Sequence, residues 1–280
     1  MRTPSLPAAL FLLCAATAQA QEAAAVLARG SGPYFETYIS FQKSMGRPIS
    51  PFDLEENAAP RLPAGLRVAA AFGSRAAALK YPKGTRVVYA LAPGFHSDDK
   101  NCRFTRISPL PEPGKALTVY KRLQPGLRRL AVFHLKCERD CYIEALAAAA
   151  EAAGMEILPV PLSSPEEFPG TLRTLLGRID AFWLLPEPAL IDRTSLMVLA
   201  KFSCSNKIPF YAPAAGLLPV GAAASFAPGF AATGAAAAEA VRRALDGEDL
   251  PDNIFPAKPE LFLNREIIDR CGLPLKGASE

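Results

Sequence analysis

From residue 23 onward the chain repeats one theme: a short apolar run, a turn rich in Gly, Ser or Pro, then a stretch with apolar positions at helical spacing. The run 23–28 breaks at Gly30-Ser31-Gly32, and Pro33 opens a helix to about residue 45. Proline suits a first helical turn, where its missing N–H costs nothing. Residues 49–54 predict a second strand. A third follows at 66–72 and leads through Gly73-Ser74 into a helix to residue 80; a fourth at 86–91 ends in Ala92-Pro93-Gly94. Between about 95 and 125 the periodicity dissolves into polar and proline-rich sequence. It restarts with a strand at 130–135 and a helix from 141 to 153, capped by Asp140 and stopped by Gly154. Strands at 155–160, 179–185, 209–212 and 220–227 then alternate with helices at 165–176, 194–204 and 233–245. A last short strand at 261–263 leads into a helix capped by Asn264 and ended by Gly272.

Strands joined through helices need crossover connections, and these build mostly parallel sheets with helices on both faces. Two such runs, parted by the irregular stretch, predict an α/β protein of two lobes. Ligands of open α/β sheets lie at the carboxyl ends of the strands. That places the loops around Ser31, Ser74, Pro93, Lys136, Glu187 and Tyr211 at any binding site.

The first twenty residues change the picture of where the chain works. Arg2, the apolar stretch 6–18 and Ala18-Gln19-Ala20 have the layout of a secretory signal peptide cleaved after Ala20, too short for a membrane span. The expectation is an exported, periplasmic protein that does not itself span the membrane. Without the leader, 30 basic residues stand against 27 acidic ones, or +3. So small a surplus gives no reason to expect a nucleic-acid partner.

Several segments, in order, carry a resemblance: "RVAAAFGSRAAAL" (67–79), "TRVVYALAPG" (85–94), "LRRLAVFHLKCERDCYIEALAAAAEAAGMEILPVPLSSPEEF" (127–168), "IDAFWLLPEPALI" (179–191), "IPFYAP" (208–213), "FAATGAAAAEAVRRALDGEDLPD" (230–252) and "LFLNREIIDRCGLPL" (261–275). The set resembles the ABC-transporter substrate-binding proteins related to the tryptophan- and tyrosine-binding ones. The resemblance implies a type I periplasmic-binding-protein-like fold: two Rossmann-like lobes with parallel sheets, joined by a hinge of three crossings. It implies a first lobe of 21–126 plus 219–249 and a second of 127–218 plus 250–280. It further implies a non-enzymatic protein that binds a small organic, amino acid-like solute between the lobes and hands it to an ABC permease in the inner membrane. Two turns differ from the family pattern, which carries acidic residues where this chain has Ala92-Pro93-Gly94 and Asp-Asn where it has Pro186-Glu187-Pro188. With a short first lobe, these differences motivate a second expectation: a module that has given up transport and works with a membrane sensor.

Seven residues are candidates for the ligand. The Ser74 hydroxyl and the N–H groups beside it are placed to hold a carboxylate, with Arg75 adding charge; an ordinary helix cap is the alternative. The glycine turn at 30–32 turns Ser31 and Tyr34 toward the cleft, and lacks the third glycine of a dinucleotide fingerprint. Glu187, fixed between two prolines, is the candidate for a ligand ammonium group. Tyr211, ending its strand, is placed either to stack on a ligand or to pack between the lobes. Lys136 closes the list at the end of the strand 130–135. Trp183 reads as core. Cys137 and Cys141, with His134 upstream, supply half of a zinc set and no matching second pair. The bland reading is a strand turning into a helix, with Cys137, Cys141 and Cys102 free to pair among themselves. Cys204 and Cys271 read as packing on helix faces. A metal- or thiol-dependent protein built on Cys137 and Cys141 is a third, weaker expectation. The first two expectations involve no metal, cofactor or catalytic residue.

Overall fold

The computed structural model describes residues 22–97, 99–136 and 141–276. The leader at 1–20, Cys137 and Asp140 lie outside the described residues; so does the side chain of Cys141. Among the described residues, twelve strands form two six-stranded sheets. The first holds β1 (Ala23–Leu27), β2 (Pro51–Asp53), β3 (Val68–Phe72), β4 (Arg86–Ala90), β5 (Arg103–Ile107) and β11 (Asn253–Ile254), in the order β11-β5-β4-β3-β1-β2 and parallel throughout. The second holds β6 (Arg129–Leu135), β7 (Glu156–Leu162), β8 (Ala181–Leu184), β9 (Phe210–Ala212), β10 (Ala224–Pro228) and β12 (Pro259–Leu263), in the order β12-β10-β9-β8-β6-β7. Only the β10–β12 pair is antiparallel.

Both faces of each sheet are covered, which is why the strands read as continuous apolar runs. In the first lobe α1 (Gly32–Met45) and α7 (Phe230–Leu245) cover the face of Val68, Ala70 and Phe72. The one-turn α2 (Ser74–Ala77) and the loop residues Leu54, Leu66 and Tyr81 cover the face of Ala69 and Ala71. In the second lobe α3 (Pro113–Leu123), α4 (Cys141–Ala152) and α8 (Arg265–Cys271) pack around Trp183, while α5 (Phe168–Leu175) and α6 (Arg193–Asn206) pack on Phe133 and Phe182. No helix among the described residues is long and apolar enough to cross a membrane.

The chain crosses between the sheets three times: between β5 and α3, between β10 and α7, and between β11 and β12. These crossings correct the boundaries expected at 126/127, 218/219 and 249/250. Leu117 and Tyr120 of α3 bury against Trp183 of the second sheet, so the first lobe ends before α3. Strand β10 pairs with β9 and β12, and β11 pairs with β5, so both later crossings fall past the expected points. The stretch read as irregular contains β5 and α3. The helix expected over 74–80 stops after one turn, where the Tyr81 hydroxyl takes the Ala76 carbonyl (2.7 Å) and Pro82 bars continuation.

Cys204 and Cys271, read from the sequence as packing, are joined in a disulfide that ties α6 to α8. Cys102 is a buried free thiol. Among the described residues no three His, Cys, Asp or Glu side chains are placed to hold a metal ion.

Asp180, just before β8, fastens the start of β6. It accepts from the backbone N–H groups of Arg128 (2.9 Å) and Arg129 (2.8 Å) and from the Arg129 guanidinium (3.2 Å). Burial alone would raise its pKa, but these donors prevail and hold the carboxyl below its ordinary value. A depressed carboxyl stabilises the fold above its unfolded value, about 3.9, and loses that contribution as pH falls through the lower folded value. Asp180→Asn is therefore expected to cost about 1–2 kcal/mol near neutrality. Urea denaturation of both proteins checks this, the gap closing as the pH drops to about 3 and below.

Candidate functional site

Between the lobes lies a cavity of about 560 Å³, within the range of small-molecule sites. The first lobe contributes Pro33 and Tyr34 of α1, the end of β4 with its turn (89–94), and Arg106, Ile107 and Pro109 at the end of β5. The second lobe contributes Pro186, Pro188 and Ile191 after β8, and Pro213, Ala214 and Leu217 after β9. Carboxyl ends of strands from both sheets thus face one gap, as the alternation of strands and helices predicts.

The wall is apolar and stiff. Six of its residues are prolines, whose rings fix φ in the turns that carry them. Leu91, at the end of β4, has a left-handed backbone (φ 54°), an unfavourable conformation for leucine that turns the chain along the cavity. Tyr34 lies half-buried over the strand ends because Gly73 makes room for it. A Cβ at Gly73 would sit 2.8 Å from Tyr34 Cε1 and 2.6 Å from Ala28 Cβ, and the backbone there has φ 104°. The glycine singled out as part of a carboxylate turn thus serves to seat an aromatic ring.

Arg106 carries the one formal charge among the described wall residues. Its Nε donates to Asn253 Oδ1 (2.9 Å), and its backbone N–H donates to Asp252 O (2.8 Å), which orients the guanidinium from β11. Its terminal nitrogens make no hydrogen bond within the described residues. Tyr89 stands nearby, its ring held edge-on by Phe95 (5.0 Å between centroids). Burial raises the Tyr89 phenol above its ordinary value, with Arg106 opposing and Asp252 reinforcing the shift. The phenol is therefore a neutral donor at physiological pH. Together these groups offer a carboxylate-sized anion a guanidinium and a hydroxyl at the edge of an apolar chamber.

Of the seven residues picked from the sequence, Tyr34 lies in the wall. Glu187 does not, but both its neighbours do; it is half-buried, with its own N–H on Leu185 O (2.8 Å). Ser31 is exposed beside Tyr34 and makes no capping bond. Ser74 and Arg75 are exposed outside the wall. Ser74 Oγ is 3.5 Å from Pro93 O, and the Arg75 guanidinium is spent on Leu54 O (3.2 Å). The anion-binding helix start imagined at Ser74 is also weakened, since α2 is a single turn. Lys136 is exposed and outside the wall.

Tyr211 needs correcting: it is fully buried in the second lobe. Its ring stacks on Tyr120 (4.2 Å, 1° between planes), and its hydroxyl donates to Gln124 Oε1 (2.9 Å). Burial raises its pKa well above the ordinary tyrosine value. Pro213 and Ala214, beyond the strand end, take the place in the cleft expected for Tyr211. Tyr211→Phe is expected to lose about 1–2 kcal/mol of stability by leaving Gln124 Oε1 without its donor, while Gln124 Nε2 keeps its bond to Asp180 O (2.9 Å), and to leave solute affinity unchanged. Chemical denaturation paired with titration calorimetry reads both.

Arg106 and Tyr89 went unnoticed in the sequence. Arg106 lies in the stretch read as irregular; once β5 is seen as a strand, an arginine near its carboxyl end is an obvious candidate.

The profile of the family described as ABC transporter substrate binding protein matches residues 100–277. No curated protein sequence matches the chain. Among solved structures, the chain is similar to the ligand-free, open form of CD0873, a substrate binding protein with adhesive properties from Clostridium difficile. The TM-score is 0.65 at 17% identity, over 90% of this chain and 94% of that one. It is also similar to an ABC domain in complex with L-Trp from Streptococcus pneumonia, with a TM-score of 0.58 at 16% identity, over 89% and 94% of the two chains. A periplasmic ribose ABC transporter structure from Conexibacter woesei matches with a TM-score of 0.51 at 15% identity, over 88% and 93%. The fold is that of type I periplasmic binding proteins.

Proposed function

Since the chain belongs to the family of ABC transporter substrate binding proteins, we propose that it is the exported, periplasmic receptor of an ABC importer. It binds a small amino acid-like solute between its lobes and presents it to a permease in the inner membrane, converting nothing. The observation that carries this reading is the composition of the interlobe wall: apolar on both lobes, with Arg106 the one charge among its described residues. Such a wall fits a ligand with an apolar body and a carboxylate. Arg106 and Tyr89 receive the carboxylate, Tyr34 and the prolines enclose the body, and Glu187 meets the ammonium group when the lobes close.

Closure is driven by contacts that exist only with both walls on the ligand, so the solute shifts the open–closed balance by its preference for the closed form. Calorimetric titration with matched solutes tests the reading. The set comprises apolar and aromatic L-amino acids with tryptophan first, their amides, and the same acids without the amine. The amides are expected to fail, because they offer Arg106 no anion, and the amine-free acids to bind more weakly than the amino acids. Binding that ignores the carboxylate, or no binding by any member, would turn the reading toward a module that serves a membrane sensor without transport.

A further inference from the structure

At the end of the first sheet remote from the cleft, three adjacent strands begin with arginines. Arg67 directly precedes β3, while Arg86 and Arg103 open β4 and β5 and are register partners. Neighbouring strands lie about 4.8 Å apart, so the two guanidinium groups share one patch of surface. Like charges placed opposite each other in a sheet are destabilising.

With Lys100, the three arginines line a hollow of about 370 Å³ between the strand ends and the end of α7. Few carboxylates answer them. Asp249 Oδ1 alone accepts from both Arg86 (2.8 Å) and Arg103 (3.1 Å), on a side chain that is 82% exposed. Arg67 meets Glu22 at 3.3 Å, both half in solvent, and donates its other terminal nitrogen to Leu245 O at the end of α7 (2.8 Å). Glu248, also on the wall, is held by Arg243 (2.7 Å). Among the described residues the three arginines therefore share two carboxylates, and Lys100 adds a fourth cation to the wall. Two turns of the wall are made by Gly84 and Gly247, each at φ 86° with open space where a side chain would stand.

We propose that this hollow is a second ligand site, binding a phosphate-type oxyanion either free or carried on a lipid headgroup, with Arg67, Arg86 and Arg103 as donors and Lys100 adding charge. Guanidinium forks match the paired oxygens of phosphate, and Asp249 occupies the place of the anion when none is bound. The site is independent of the solute cleft at the opposite ends of the same strands.

Thermal melting in sodium phosphate against sodium chloride of equal ionic strength tests the proposal, beside co-sedimentation with vesicles of phosphatidylglycerol or phosphatidylcholine. Two exposed variants give opposite signs. Arg103→Gln is expected to weaken phosphate binding about tenfold or more. Asp249→Asn is expected to strengthen it by removing the internal competitor. Retention on phosphatidylglycerol vesicles that Arg103→Gln weakens and free phosphate competes away assigns the anion to a lipid; a phosphate shift without retention assigns it to a soluble phosphate. The proposal falls if phosphate shifts the midpoint no more than chloride and neither vesicle retains the protein. It also falls if the two variants leave phosphate binding unchanged.

Discussion

Replacing Cys204 and Cys271 together by serine lowers the free energy of unfolding by about 4 kcal/mol and leaves solute affinity unchanged. The size follows from the 67-residue separation of the two cysteines, because a cross-link that closes a long loop removes much of the freedom of the unfolded chain. The bridge also fixes α8, a helix of only seven residues. Its cap at Asn264 and its buried Ile267 and Ile268 hold it on the second lobe, yet so short a helix is marginal by itself. Affinity is spared by geometry. Helix α6 starts near the carboxyl end of β8, at the cleft, and runs back toward the amino end of β9, so Cys204 lies at the far end from the cavity. Urea denaturation of the serine pair, and of the native protein with and without reductant, measures the effect. Superimposed curves would mean that the bridge constrains nothing the packing does not already fix.

Arg106→Gln is expected to weaken binding of a carboxylate solute about 10- to 100-fold, the worth of a charge-assisted hydrogen bond lost from a largely apolar site. Stability should change little. The side chain is exposed, and its bond to Asn253 links two surface groups at the edge of the sheet. Arg106→Lys should recover only part of the affinity, keeping the charge but losing the planar fork. The amide of the same solute supplies the control: its weak binding should not respond to either substitution. Calorimetry on the three proteins decides, and an equal loss for acid and amide would show that Arg106 shapes the wall without touching the anion.

The sequence reveals most where a strand is covered on both sides. β1, β3, β4, β6 and β8 are short, nearly unbroken apolar runs, and their number and alternation with helices announce two parallel sheets. It hides β5, whose five residues include two arginines, and α3, which follows Ser108-Pro109-Leu110-Pro111-Glu112 and looks like more of the same loop. Pro113, which in sequence looks like one more proline of that loop, in fact begins the helix, with the Glu112 carboxylate accepting from Gly114 N–H (3.2 Å). Losing those two elements displaced the first lobe boundary and concealed Arg106.

The place of Tyr211 is hidden for a different reason. Phe210 and Ala212 face one core and Tyr211 the other, and both cores are apolar, so the alternation in β9 says nothing about which residue turns to the cleft. Gly73 and Tyr34 show what pattern reading can still do. Each was picked out as a residue at a strand end, and their contact, which needs the missing Cβ, is a fact of three dimensions.

The claim that the interlobe chamber is the solute site is tested most directly by filling it. Ala214 has extended backbone (φ −153°, ψ 150°) that tryptophan adopts freely, and it is exposed on the second-lobe wall. Thermal shifts of the native protein and of Ala214→Trp, measured with the same carboxylate solutes, should separate cleanly. A bound solute at a hundred times its Kd adds about 2.7 kcal/mol to the native protein and, on this account, nothing to the variant. A solute that stabilises both equally, or none that stabilises the native protein, would contradict it.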